Sequence, residues 1–334
     1  MKEINVLLYG FGEIGRMTLR LLARRPGLVP VAVVDSDPAL AGRDAAALCV
    51  IPDLSLPIRP SVKGLGEIAE VAIVATVSDG AVVLEQLREL LREGISAVTA
   101  CEELFFPAPE LADQLREVAQ EAESRDLAIL AAGVNPGFLM DTLPATLSGA
   151  SALIESVLVE RVQDAAPRRS RFQRKIGIGL DPGEFSRRAE AGEIRHVGLC
   201  DSVRYLAAAL GWELARLTED LSPILAETDL ALPDAPPVKA GQVRGLRQTA
   251  RGHLADGRCV ITLDFLAALG EPEPHERIVI DGTPRIESVI PGGLNGDQAA
   301  CAMLCAAARR LAASRATGFL TMRDLPAPTG SVHT

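Results

Sequence analysis

The sequence predicts an α/β fold, with an N-terminal doubly wound parallel sheet followed by an α+β domain whose mixed sheet is mostly antiparallel. Strand-like and helix-like segments alternate through residues 1–134, as in doubly wound folds. A glycine-rich turn joins the first of these strands to the first helix. Later segments change to a two-residue period, which indicates half-buried strands. We therefore predict domains at 1–134 and 135–295, and a C-terminal segment, 296–325, whose helix packs back toward the first domain.

Short apolar runs bounded by turn residues predict the strands of the first domain, because parallel strands are buried on both faces. These strands are Glu3–Tyr9, Val29–Val34, Val71–Thr76, Ile95–Thr99 and Leu127–Ala131. Apolar residues at helical spacing predict the helices between them. These helices run from the glycine turn to Arg25, over Gly80–Arg92 and over Pro107–Arg125.

The second domain is predicted from alternation and from turn residues. Ser151–Val162 has apolar and polar residues in alternation, and strands separated by Asp-Gly and Glu-Pro turns fill Gly241–Ile290. This pattern is typical of an antiparallel sheet with one covered face. Helices are predicted at Phe138–Leu147 and, in an alanine-rich segment, at Asp297–Ala313.

Composition excludes several classes of function. The chain has 334 residues and a formal net charge of −10, which disfavours binding to nucleic acid or to an anionic membrane surface. It has no apolar run long enough for a membrane span and no charged leader followed by an apolar stretch, so we expect a cytoplasmic protein. The 6 cysteines form no C-x-x-C pair, and we expect no metal site.

The glycine turn predicts a nucleotide site. Gly10-Phe11-Gly12-Glu13-Ile14-Gly15 follows a strand and opens a helix, and Asp35 ends the next strand. This context is that of the Rossmann fingerprint, in which the helix N-terminus faces a pyrophosphate and the acidic residue faces the ribose. Asp35 favours NAD, although Ser36 and Arg43 would accommodate the 2′-phosphate of NADP. The predicted contacts to NAD or NADP are Gly10, Phe11, Gly12, Glu13, Ile14, Gly15, Asp35, Ser36, Thr76 and Asn135.

Glu102 is the candidate catalytic residue. It follows the strand Ile95–Thr99, and open α/β sheets bind their ligands at the carboxyl ends of their strands. A carboxylate in that place would move protons beside a hydride donor, which indicates a redox enzyme acting on a C–N or C–O bond. The alternative is that Glu102 and Glu103 only stabilise the start of a helix.

Cys101 offers a rival chemistry. A thiolate at Cys101 assisted by His196 would attack an aldehyde, as in acylating semialdehyde dehydrogenases, whereas a buried thiol would have no chemical role. The basic run 168–175 is either a solvated helix face or the source of an arginine that binds a substrate carboxylate. The predicted substrate pocket, at the junction of the two domains, consists of Pro136, Phe138, Met140, Phe172, Ile176 and His196.

Several motifs resemble one family, that of 2,4-diaminopentanoate dehydrogenase and the related native NAD(P)H-dependent amine dehydrogenases. They extend over nearly the whole chain. The motifs are Thr99–Leu104, Gly133–Pro144, Arg161–Ala165 continuing through Arg168-Arg169, Gln173–Gly179, Gly293–Asp297 and Leu320–Pro326. The wider superfamily includes 4-hydroxy-tetrahydrodipicolinate reductase, but its paired histidines and its Asp-Ala-Pro-Ser-Gly-Thr run are not found in this sequence.

The resemblance implies that Glu102 is the catalytic carboxylate and that the protein is a homodimer whose second domain supplies the interface. It implies reversible NAD(P)-dependent oxidative deamination of a 2,4-diaminopentanoate-like or simple amine to a ketone or aldehyde plus ammonia. The alternatives are an imine reductase similar to 4-hydroxy-tetrahydrodipicolinate reductase, and a non-catalytic protein that senses a nucleotide.

Overall fold

The computed structural model describes residues 3–107, 109–232, 235–327 and 329–330. Its strands are β1 (Ile4–Tyr9), β2 (Leu28–Val34), β3 (Ile58–Arg59), β4 (Val71–Val74), β5 (Ser96–Thr99), β6 (Ala128–Ala131), β7 (Leu153–Asp164), β8 (Arg216–Leu225), β9 (Leu230–Leu232), β10 (Ala235–Val238), β11 (Val243–His253), β12 (Cys259–Ala268), β13 (His275–Thr283), β14 (Ile286–Pro291) and β15 (Gly318–Leu320). Its helices are α1 (Glu13–Leu22), α2 (Ala45–Leu48), α3 (Gly80–Arg92), α4 (Ala112–Ser124), α5 (Thr142–Ser148), α6 (Ser170–Lys175), α7 (Pro182–Glu190), α8 (Leu199–Leu210) and α9 (Gly296–Ala313). Single 3₁₀ turns cover Glu102–Leu104 and Pro109–Leu111.

The chain divides into two units, the first formed by Met1–Phe138 with Gly296–Thr334 and the second by Leu139–Asn295. In the described part of the first unit, the strands form a parallel sheet in the order β15-β6-β5-β4-β1-β2-β3. Strands β2 and β3 lie on one side of β1, and strands β4, β5, β6 and β15 lie on the other. The predicted doubly wound sheet is therefore confirmed, and its direction switches between β1 and β4.

The parallel strands are apolar throughout because both faces of their sheet are covered. Val6, Leu7 and Leu8 of β1 have no exposed surface, and all four residues of β4 are buried. Helix α9 packs beside α1, and the Arg25 guanidinium that follows α1 donates to the Ala302 carbonyl over 3.0 Å. Strand β15 pairs with β6 and extends the sheet by one strand that the sequence did not predict.

The second unit is built on a mixed sheet in the order β14-β13-β7-β12-β11-β8. Only the β7–β12 pair is parallel among the described strands of this sheet, so the predicted mostly antiparallel sheet is confirmed. Helix α8 packs against β11 and β12. The register places four residues in one row across the sheet, Gln248, Phe265, Arg161 and Glu276.

Some predicted boundaries differ from the observed ones for local reasons. The helix predicted from Phe138 begins only at Thr142, because the buried Asp141 carboxylate accepts the Thr142 N–H and caps α5. The helix predicted to reach Arg25 ends three residues earlier, at Leu22. Among the described residues, no helix is both long and apolar enough to cross a bilayer.

Candidate active site

The loops that follow β1, β4, β5 and β6 begin in one row along the carboxyl edge of the parallel sheet. Backbone hydrogen bonds fix this row: Ala75 donates to Tyr9, Ala100 to Val74 and Ala132 to Thr99, over 2.8 to 3.0 Å. Gly10 donates in the same way to Val34 of β2. The glycine turn, Thr76, Glu102 and Asn135 all lie within a few residues of this row, as the edge rule for open sheets predicts.

The glycine turn is too tight for side chains at two positions. Gly10 has φ +102°, and a Cβ atom there would lie 2.6 Å from the Ala75 carbonyl oxygen. A Cβ atom on Gly15 would lie 2.0 Å from the Gly10 carbonyl oxygen. In contrast, a Cβ atom on Gly12 would meet nothing within 4 Å, so the turn is open on that side.

The start of α1 fits a dinucleotide pyrophosphate. Gly12 is the N-cap of this ten-residue helix, and no side chain caps its first N–H groups. Such groups, together with the helix dipole, bind phosphate oxygens, and the open space beside Gly12 is where a pyrophosphate would approach the backbone. Phe11 is buried, Ile14 is half-buried and Glu13 is exposed.

Asp35 is held against the glycine turn. Its Oδ2 accepts the Phe11 N–H over 2.6 Å and its Oδ1 accepts the Asp37 N–H over 2.9 Å. The carboxylate therefore stands beside the loop that would carry the pyrophosphate, where ribose hydroxyls would meet it. Ser36 and Arg43, considered for a 2′-phosphate, are both exposed.

Thr76 and Asn135 lie farther along the same edge, after β4 and β6. The Thr76 hydroxyl donates to Gln86 Oε1 of α3 over 2.7 Å, which fixes its side chain. Asn135 is buried in a turn that requires glycine on both sides. A Cβ atom on Gly133 would lie 2.5 Å from the Pro136 carbonyl oxygen, and one on Gly137 would lie 2.4 Å from the Gly133 nitrogen.

Glu102 and Glu103 have different surroundings. Glu103 is exposed, and its Oε2 accepts the N–H of Gly80, the first residue of α3, over 2.9 Å. It therefore satisfies one N–H group at the start of α3 and links the 3₁₀ turn to that helix. Glu102 is half-buried and lies at the end of β5, two strand spacings or about 10 Å from β1. Glu103 is thus used in a structural contact, and the catalytic role of Glu102 stays a prediction.

Cys101 does not suit the rival thiolate chemistry. Its thiol is buried beneath the 3₁₀ turn, and burial raises its pKa to about 12. A thiol with such a pKa is protonated at physiological pH, and only the thiolate is a nucleophile.

We expect the Cys101→Ala variant to keep most of the turnover of the wild-type protein, because no thiolate forms at this position near pH 8. Treatment with iodoacetamide at pH 8 should likewise leave activity intact, and mass spectrometry should find the exposed Cys259 labelled before Cys101. Loss of activity in proportion to the labelling of Cys101 would restore the thiolate mechanism.

His196 lies in the second unit and is held rigidly. Its backbone N–H donates to Gln248 Oε1 over 2.7 Å, and its backbone carbonyl accepts from Gln248 Nε2 over 3.0 Å. Its ring stacks on Phe265 with centroids 4.5 Å apart. Burial, with smaller effects from Lys175, Arg161 and Arg168, holds its pKa well below 6.5. The imidazole is therefore neutral at physiological pH.

The remaining predicted pocket residues belong to both units. Pro136 and Phe138 are in the first unit, while Met140, Phe172 and Ile176 are in the second with His196. Pro136, Met140 and Ile176 are buried, whereas Phe138 and Phe172 are half-buried. Their common role as a substrate pocket stays a prediction.

Sequence reasoning missed a buried ion pair in the second unit. Arg161 and Glu276 are 2% and 3% exposed, and Arg161 Nη1 lies 3.3 Å from Glu276 Oε1. Burial raises the pKa of Glu276 and lowers the pKa of Arg161 to about 10. Both shifts favour the neutral forms, so desolvation outweighs the attraction within the pair. No clear signal in the sequence marked the pair, since Glu276 stands between His275 and Arg277 and Arg161 follows Glu160.

The described residues contain no group of three or more His, Cys, Asp or Glu side chains placed to hold a metal ion.

Comparisons with known proteins point to one family. The model of the 2,4-diaminopentanoate dehydrogenase C-terminal domain matches residues 138–334. A 2,4-diaminopentanoate dehydrogenase of Acetoanaerobium sticklandii is 26% identical over 98% of this chain and 95% of its own length. An amine dehydrogenase of Streptomyces virginiae is 24% identical over 88% of this chain and 86% of its own length. The structure of an amine dehydrogenase from Mycobacterium smegmatis shares the fold, with a TM-score of 0.83, 19% identity and coverage of 97% and 96%.

Proposed function

The chain belongs to the 2,4-diaminopentanoate dehydrogenase C-terminal domain family, and we propose that it is an NAD(P)-dependent amine dehydrogenase. The proposed reaction is the reversible oxidative deamination of an amine to a ketone or aldehyde plus ammonia. One observation carries the proposal, namely the half-buried Glu102 at the same sheet edge as a glycine turn that fits a pyrophosphate. The substrate is either a 2,4-diaminopentanoate-like amino acid or a simple amine.

The nucleotide is proposed to bind along the carboxyl edge of the first sheet. Gly10, Gly12 and Gly15 let the turn approach the pyrophosphate, and the N-terminus of α1 donates to it. Asp35 accepts hydrogen bonds from the adenosine ribose hydroxyls, on the side of β1 where β2 lies. The nicotinamide half then extends to the other side, toward the loops after β4 and β5, where Thr76 and Glu102 lie.

Glu102 is proposed to move the protons of the reaction. In the direction of amine synthesis it takes a proton from ammonium, and the ammonia nitrogen then attacks the substrate carbonyl carbon. It returns that proton to the hydroxyl group of the carbinolamine, which leaves as water and yields a cationic iminium. The negative charge that Glu102 then carries stabilises this cation. The chemistry that bound NAD(P)H supplies is hydride transfer to the iminium carbon.

The apolar side chains predicted for the substrate site have a defined role in this scheme. Phe138, Met140, Phe172 and Ile176 would shape the substrate and exclude water, which protects the iminium from hydrolysis. His196 is neutral, so it serves as a fixed hydrogen-bonding group and not as a source of charge.

The reaction class is tested by the ammonia dependence of NADH oxidation. With a panel of ketones, we expect oxidation only when both a ketone and ammonium are supplied. Oxidation of ketones without ammonium would contradict the proposal. Oxidation of NADH by dihydrodipicolinate alone would favour the imine reductase, and nucleotide binding without any turnover would favour a sensor.

Asp35 is proposed to set the preference for NAD. We expect the Asp35→Asn variant to lower the ratio of kcat/KM with NADH to kcat/KM with NADPH about 10- to 100-fold, through weaker bonds to the ribose and less repulsion of the 2′-phosphate. Asp37→Asn is the matched control, because Asp37 is a neighbouring exposed carboxylate. An unchanged ratio in the Asp35 variant, or an equal change in both, would contradict this role.

The enzyme is further proposed to be a cytoplasmic homodimer that pairs through the second domain, which the sequence places at residues 135–295. Large apolar side chains on the sheet of the second unit support this, since Leu153 on β7 is 68% exposed and Val289 on β14 is 49% exposed. Sedimentation velocity should give the mass of two chains, and the mass of one chain would contradict the dimer.

A further inference from the structure

Gln86 is a polar side chain at the border of the buried, apolar face of α3. Val83 and Leu90, three residues before it and four after it, are buried on that face, whereas Gln86 is half-buried. Its Oε1 accepts a hydrogen bond from the Thr76 hydroxyl over 2.7 Å. A side chain of α3 therefore fixes a hydroxyl group in the loop that follows β4, at the edge where the glycine turn lies.

Helix α3 is held in the first unit on both sides of Gln86. At its start, Glu103 Oε2 accepts the N–H of Gly80 over 2.9 Å. Three residues after Gln86, Glu89 Oε2 accepts the hydroxyl of Tyr9, at the end of β1, over 3.2 Å. The Gln86 amide is therefore carried by an anchored helix, and groups carried by rigid elements are placed more precisely than groups on loops.

Thr76 lies directly beside the glycine turn. A Cβ atom built on Gly10 would be 3.0 Å from Thr76 Cγ2, so the Thr76 methyl group lies against that turn. Thr76 is half-buried, whereas Tyr9, whose hydroxyl also bonds to α3, is 9% exposed. Thr76 is thus the more accessible of these two residues.

The direction of its hydrogen bond restricts what Thr76 can bind. The single hydroxyl hydrogen is donated to Gln86, so the oxygen has only lone pairs left and is an acceptor toward any ligand. The pyrophosphate of a dinucleotide offers only acceptors at neutral pH, which excludes it as the partner of this hydroxyl. In the nicotinamide half of the nucleotide, the donors are the ribose hydroxyl groups and the carboxamide.

We propose that Gln86 positions the Thr76 hydroxyl so that its oxygen accepts a hydrogen bond from the ribose of the nicotinamide half. The proposal rests on the proposed function, in which this half extends toward the loop after β4. The ribose is bonded directly to the pyrophosphate, and Thr76 adjoins the turn that would carry the pyrophosphate. Gln86 is a positioning residue, because it acts through Thr76.

The binding of ADP and ADP-ribose, measured by calorimetry, tests the ribose contact without any turnover. ADP-ribose has the second ribose but no nicotinamide, and ADP has neither. In Thr76→Val, the ratio of the Kd for ADP to the Kd for ADP-ribose should fall about 3- to 10-fold, because one hydrogen bond is lost. The Kd for ADP itself should not change, which shows that the variant is folded. Thr76→Ser keeps the hydroxyl and should keep the ratio.

Variants of Gln86 test its positioning role. Gln86→Met removes the acceptor and leaves the Thr76 hydroxyl free to rotate, so the ratio should fall, although less than in Thr76→Val. Gln86→Glu keeps an acceptor and should keep the ratio, since its added charge would act on both ligands. Glu89→Met is the matched control, because it removes another acceptor of α3 that bonds to Tyr9 and not to Thr76. Its ratio should equal that of the wild type.

Each outcome bears on one part of the proposal. An unchanged ratio in Thr76→Val would overturn the ribose contact. An unchanged ratio in Gln86→Met, or an equal fall in Glu89→Met, would overturn the positioning role. Weaker binding of NADH by Thr76→Val, with unchanged binding of ADP-ribose, would assign the contact to the carboxamide and overturn the ribose. Binding of ADP-ribose without any turnover of NADH, ketone and ammonium would overturn the proposed function alone, whereas no binding of ADP-ribose by the wild type would overturn both.

Discussion

Replacing Glu102 by glutamine is expected to lower kcat for reductive amination about 10²- to 10⁴-fold, the contribution of one positioned general acid–base group. Glutamine has nearly the size of glutamate, but it neither accepts a proton from ammonium nor stabilises a cationic iminium. The variant should still bind NADH, because the glycine turn and Asp35 are unchanged. Stopped-flow turnover and the fluorescence titration of NADH measure the two properties separately.

Glu103 provides the matched control for this experiment. Glu103→Gln removes the same charge one residue away, and its amide oxygen still accepts the Gly80 N–H. We expect its turnover to be close to that of the wild type. Glu103→Ala should lose the bond to the Gly80 N–H and about 1 kcal/mol of stability, while the Asp79 cap of α3 remains. Equal turnover in Glu102→Gln and Glu103→Gln would remove the assignment of Glu102.

Local features explain why the first unit could be predicted so closely from the sequence. Helix α3 has the predicted bounds, Gly80–Arg92, because Asp79 caps it and its apolar residues repeat at helical spacing. Strand β15 was missed because it has three residues and forms only by pairing with β6, far away in the sequence. Short strands have no periodicity from which they could be recognised.

The candidate site likewise has some features that the sequence predicted and others that it could not predict. The glycine turn, Asp35 and Glu102 could be placed together because parallel strands share one carboxyl edge, a rule that needs only the order of the elements. The surroundings of His196 could not be predicted, because Gln248 lies 52 positions away and Phe265 reaches it only through the sheet register. The structural contact of Glu103 could not be predicted either, because its partner Gly80 lies 23 positions away.

The buried pair Arg161–Glu276 is expected to be the most sensitive point of the second unit. Glu276→Gln keeps an acceptor for the Leu294 N–H, now 3.3 Å from Glu276 Oε1, but leaves the Arg161 charge without its buried counterion. Removal of one partner of a buried pair costs about 3–5 kcal/mol. Urea unfolding measures this loss. Asp220→Asn, which breaks the exposed pair with Arg251, should cost less than about 1 kcal/mol.

The two halves of the pair should respond differently to pH. In Arg161→Met the buried Glu276 carboxyl keeps a pKa above its unfolded value, and loss of the cation raises it further. A raised folded pKa gives stability that is present at low pH and is lost as pH rises through it. The deficit of Arg161→Met should therefore shrink from pH 8 to pH 5. The deficit of Glu276→Gln should not shrink toward pH 5, because the wild type retains the raised pKa of Glu276 and this variant has no such carboxyl; the same pH slope in both variants would contradict this account.

The double variant Arg161→Met with Glu276→Leu tests why the costly pair is present. Because desolvation dominates both pKa shifts, apolar replacement of both partners should restore most of the stability lost in the single variants. However, the pair also holds Leu294, whose N–H is bound by Glu276 and whose carbonyl is 3.5 Å from Arg161 Nη2. The Leu294 carbonyl also accepts from Gln163 Nε2, and Gln163 Oε1 in turn accepts from Arg168. We therefore expect a stable double variant in which the amide hydrogens around Leu294 exchange faster than in the wild type, whereas unchanged exchange would show that the pair does not hold this segment.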